Sequence, residues 1–194
     1  PPHHQDARYH MNFAPRPAAA LLAMFGWAVA AGTVAAQDKP AATYIGVAKC
    51  AMCHKTEKSG NQFGAWEKTK HAKAYETLTT PVADSIALAK GLTTKAAESE
   101  TCLACHTTGG PASGLARTEG ISCEACHNAG SGYRTLSVMK DKAKSIEGGL
   151  RTFADAAAIE TFCRTCHNER SPSAKEFKFE ERWAKIKHLR PTGG

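Results

Sequence analysis

The sequence predicts a mainly α-helical fold with long loops and little or no sheet, on three observations. Apolar residues recur at helical spacing in several segments, and no long alternating run of the kind a strand needs is present. Glycine-rich stretches punctuate those segments. Large apolar residues are sparse and lysines abundant, so side chains alone make a thin core at this length and something else must fill the interior.

Residues 1–10, PPHHQDARYH, precede Met11 and read as an upstream extension, which sets their three histidines aside. Residues 11–36 read as a secretory signal peptide: Arg16 precedes an apolar run free of acids, and small Val34 and Ala36 prepare cleavage near Ala36. The apolar run over 18–31 falls short of the roughly 20 residues of a membrane span. No cysteine precedes Cys50, so a lipid-attachment box is absent from the leader. Residues 37–194 are then the mature chain, of a length that suits one domain, and the signal sends it to the periplasm.

Within that domain, 37–43 is a polar lead-in. A helix is expected over 61–78, with His71, Tyr75 and Leu78 on one stripe. A second is expected over 82–92, punctuated by Pro81 and Gly91. Residues 107–120 and 128–132 are glycine-rich loops in which backbone can approach a bound group closely. Further helices are expected over 154–166 and 176–188, the latter with Phe179, Trp183 and Ile186 on one side and His188 at its end.

One pentapeptide pattern occurs four times and uses all eight cysteines: Cys50-Ala51-Met52-Cys53-His54, Cys102-Leu103-Ala104-Cys105-His106, Cys123-Glu124-Ala125-Cys126-His127 and Cys163-Arg164-Thr165-Cys166-His167. Disulfides suit an even cysteine count in an exported protein but give no reason for a histidine after every second cysteine. Four zinc knuckles leave the same four histidines without a role. Haem c attachment explains every position: two thiols one helical turn apart form thioethers to the porphyrin, and the adjacent histidine ligates iron. The cofactors are therefore four covalently bound haems. The chain becomes a small, haem-packed multihaem cytochrome c, in which the macrocycles supply the missing core.

The haems also change the charge argument. The mature chain has 23 basic and 17 acidic residues, but haem propionates bring its net charge close to zero. With no basic–aromatic motif present, a nucleic-acid partner is discarded. The second and third motifs are close in sequence, which suggests neighbouring haems.

Six-coordinate iron needs a distal ligand. Beyond the proximal His54, His106, His127 and His167, the mature chain has only His71 and His188 to offer, and distal ligation is the expected role of both; a lone histidine is otherwise a packed or solvated one. Met139 follows the third motif closely enough to fold back over a haem near His127, with core packing as the ordinary alternative, and Met52 reads as packing.

Residues 46–54 (GVAKCAMCH), 66–78 (WEKTKHAKAYETL), 120–127 (GISCEACH) and, more loosely, 177–188 (FKFEERWAKIKH) resemble the tetrahaem cytochrome c-554 family of ammonia-oxidising bacteria. The resemblance implies a mostly helical periplasmic electron carrier, distal roles for His71 and His188, and a five-coordinate haem at Cys102 to His106. The family's third distal histidine has no counterpart; Met139 lies near the matching place.

The expected function is periplasmic relay of single electrons between redox protein partners, a membrane-bound one among them. Two alternatives accompany it. One is a redox enzyme or sensor of nitric oxide, hydroxylamine or nitrite at an open haem, for which Lys95, Arg117 and Glu119 are candidate pocket groups unless they are solvated surface. The other is a subunit of a larger multihaem assembly.

Overall fold

The computed structural model describes residues 41–172 and 174–189. The extension at 1–10 and the signal segment at 11–36 lie outside the described residues. Among the described residues the secondary structure is helical, with no strand, as the mainly α reading expects.

Four helices carry the motifs: α1 (Val47–His54), α4 (Glu100–His106), α5 (Cys123–His127) and α8 (Ala156–Cys163). Between and after them lie α2 (Gln62–Glu67), α3 (Pro81–Ala89), α6 (Leu136–Met139), α7 (Lys142–Glu147) and α9 (Phe179–Ile186). Local chemistry sets several starts. Thr80 accepts from the Ala83 N–H at 3.2 Å, with Pro81 at the first position of α3, and Asp155 accepts from the Ala158 N–H at 2.8 Å at the start of α8.

The expected helix over 61–78 breaks. Helix α2 ends at Glu67, turns follow, and a short 3₁₀ segment runs Glu76–Thr79. Competing donors are the reason. The Thr69 hydroxyl donates to the Trp66 carbonyl at 2.7 Å, and the Ile121 N–H takes the His71 carbonyl at 2.9 Å. Gly120 permits that approach: a Cβ there would lie 2.6 Å from the His71 oxygen. A glycine loop thus approaches the backbone of His71, which sits in a turn rather than on a helix. The last two helices are also shorter than expected, so His188 lies beyond α9 in non-helical chain.

The apolar core is small. Leu103 is fully buried and packs with Leu78, Ala87 and Ala96, flanked by Tyr75 and Leu92; Tyr133 and Phe179 are buried elsewhere. Met52 is 70% exposed instead of packed, because it projects from α1 between the two cysteines rather than along their face. No helix among the described residues is long and apolar enough to cross a membrane.

Candidate functional site

Cysteines three apart on a helix stand on one face, so each motif presents two thiols together and a histidine one residue on. Histidine ends α1, α4 and α5, and the fourth motif runs out of α8 into the following turn. All eight cysteines are free thiols. Those of different motifs meet. The Cys50 and Cys123 thiols interact; the interaction lowers the Cys50 thiol and, together with burial, pushes that of Cys123 up. Cys105 contacts Cys166 and is raised to about 11, chiefly by burial. Cys126 is likewise raised to about 11 by burial, with Cys163 and Cys166 close enough to add to it.

The histidines repeat this order, His54 being near His127 and His106 near His167. The motifs therefore neighbour one another in the sequence first, third, fourth, second. Thr108 ties the ends of the loop between the second and third motifs together, through Gly120 and Ser122, yet the thiol of the second motif turns to the fourth.

Two histidine pairs face each other. His71 and His167 have ring centres 5.9 Å apart, and His127 and His188 have theirs 6.0 Å apart. With a metal–nitrogen bond of about 2 Å on each side, two imidazoles sharing one ion have centres about 6 Å apart. Both spare histidines thus meet a motif histidine at a spacing that fits axial ligation. Phe177 stacks on His167 at 4.7 Å and supports that ring.

Three histidines have a fixed tautomer. His106 Nδ1 lies 2.8 Å from the Ala74 carbonyl, an acceptor, so Nδ1 carries the proton and Nε2 keeps its lone pair for a metal. His188 donates in the same way to the Leu189 carbonyl at 3.4 Å. His54 Nδ1 lies 3.1 Å from Gln62 Oε1. The two NH protons of that amide go to the Ser59 and Leu189 carbonyls, so its oxygen must face His54.

The other candidates fall differently. Met139 lies at the end of α6, 38% exposed, and the partner facing His127 is His188. Glu119 is half-buried, and its carboxylate accepts from the Val47 N–H at 3.0 Å, at the start of α1. Arg117 donates to the Ala97 carbonyl at 3.2 Å and Lys95 is exposed.

Sequence reasoning missed Glu124. Inside the third motif, 2% exposed, it accepts from the N–H groups of Ile45, Gly46 and Gly130 at 3.0, 2.8 and 2.6 Å, and so clamps the start of the first motif's helix to the third. A glutamate between two cysteines carries no signal of this in sequence.

The family "Cytochrome c554 and c-prime" matches residues 49–128, which contain three of the four motifs. Cytochrome c-554 of Nitrosomonas europaea is 28% identical over 166 aligned positions, covering 77% of this chain and 67% of that protein. Over these residues the chain is similar to the cytochrome c-554 family. No solved structure matches it significantly.

Burial holds His127 down to about 4, assisted by repulsion from His188, His54 and Arg151. Its folded value lies below its unfolded one, so the unfolded chain binds the extra proton first.

Proposed function

We propose that this chain is a tetrahaem electron carrier of the periplasm, passing single electrons between redox protein partners. The observation that carries the reading is the pair of facing histidines at 5.9 and 6.0 Å, each joining a motif histidine to a spare one. Cys50, Cys53, Cys102, Cys105, Cys123, Cys126, Cys163 and Cys166 hold the haems. His54, His106, His127 and His167 are the proximal ligands, with His188 opposite His127 and His71 opposite His167. Bound haem supplies one-electron iron chemistry. The protein supplies attachment, ring orientation through the Nδ1 bonds, and contiguous sites. Export rests on the signal read at 11–36, and one domain over 37–194 holds all four sites.

The histidine pairing leaves His54 and His106 without a histidine opposite. Met139, which follows the third motif, remains the candidate sixth ligand that is not a histidine. The site at His106 stays open. That supports a second reading, a small-ligand redox enzyme or sensor acting at this position. Donation of the missing ligand by a neighbouring subunit is the assembly reading.

Mass spectrometry of the mature protein should show four haem additions and no free thiol. Carbon monoxide should bind the reduced monomer once per chain, and twice in Met139→Ala. A colourless zinc protein would end the haem reading. A carbon-monoxide-silent, fully low-spin parent would remove the open site and leave electron relay alone.

A further inference from the structure

We propose that Gln62 is a positioning residue that links the axial histidine of the first motif to the distal histidine of the third, so that each haem site feels the other's state. The inference rests on the ligation reading above. It goes beyond that reading by assigning a role to a side chain that touches neither haem.

A carboxamide offers one oxygen acceptor and two N–H donors. In Gln62 all are used: Oε1 faces His54 Nδ1 at 3.1 Å, and Nε2 donates to the Leu189 carbonyl at 2.9 Å and to the Ser59 carbonyl. The Leu189 carbonyl is shared, since His188 Nδ1 donates to the same oxygen at 3.4 Å. One continuous chain of hydrogen bonds therefore runs from His54 through Gln62 and Leu189 to His188, whose ring faces His127.

The amide is held in place. Gln62 opens α2, and Asn61 before it adopts a left-handed conformation, φ 45°, while its side chain caps the Gly64 N–H at 3.1 Å.

The strength of the acceptor at Nδ1 sets how much electron density an imidazole gives a metal at Nε2. Linked hydrogen bonds polarise one another. A more acidic Nδ1–H at His54 makes Gln62 a stronger donor to Leu189, and the shared carbonyl then accepts less well from His188. The same bonds anchor the residue next to His188, and so hold its ring toward His127.

Two variants in the haem-loaded full chain test this by redox titration and electron paramagnetic resonance. The first-motif haem is assigned as the signal altered in Cys53→Ser. Gln62→Leu removes the acceptor and both donors: the first-motif potential should rise, and part of the low-spin signal of the His127–His188 site should become high-spin. Gln62→Glu faces His54 with a stronger acceptor but drops the donor to Leu189. The first-motif potential should then fall, while the second signal again loses intensity.

Opposite shifts at one site with parallel losses at the other are the expected result. Potentials like the parent's in both variants, or shifts of the same sign, overturn the proposal. His188→Ala run alongside separates the levels. If it leaves every signal unchanged, the ligation reading and this inference fall together; if it responds while both Gln62 variants are silent, the inference alone falls.

Discussion

Replacing His71 with alanine will convert one low-spin haem, the one whose proximal ligand is His167, to high spin and raise its potential. His188→Ala will do the same to the haem at His127. The expectation follows from the facing rings at 5.9 and 6.0 Å, which give His167 and His127 one opposing imidazole each. Loss of that imidazole removes a donor that stabilises ferric iron preferentially. The potential should shift by tens of millivolts or more, and the two variants should affect different signals. Electron paramagnetic resonance matching the parent in both would mean that the histidines are only packed together. Conversion of the same haem in both would reject the pairing while keeping the ligation.

Glu124→Ala will destabilise the fold by on the order of 3–6 kcal/mol, because it strands three N–H groups at the junction of the first and third motifs, each of which costs about 1–3 kcal/mol unpaired. The carboxylate is 2% exposed, which leaves water no ready access to replace it. Glu124→Gln keeps one carbonyl acceptor but aims N–H at N–H, so it should recover less than half of the loss. Chemical denaturation with constant haem content in all three proteins measures this. A midpoint for Glu124→Ala equal to the parent's would show that the clamp contributes nothing to the folded state.

The attachment pattern is legible in sequence because its chemistry is local. Two thiols and an imidazole within five residues meet on one helical turn wherever the chain goes, so CAMCH and its three counterparts could be read without knowing the fold. The mainly α class and the thin apolar core were legible for a similar reason, as both depend on spacing and composition. The broken helix at 61–78 was not. Its periodicity is helical, and what ends it is the Ile121 N–H taking the His71 carbonyl from another part of the chain.

Tertiary structure alone decided which histidines face each other. His71 is nearest in sequence to the first motif yet meets His167 of the fourth, and His188, nearest to the fourth, meets His127 of the third. It also set the order of neighbouring motifs, and it recruited Gln62 and Glu124, whose residue types are ordinary on a helix surface. Ligands on one metal ion must converge within a few ångströms from opposite sides. Only packing of segments distant in the chain can bring them there, so residue type limits the candidates and the fold selects the pairs.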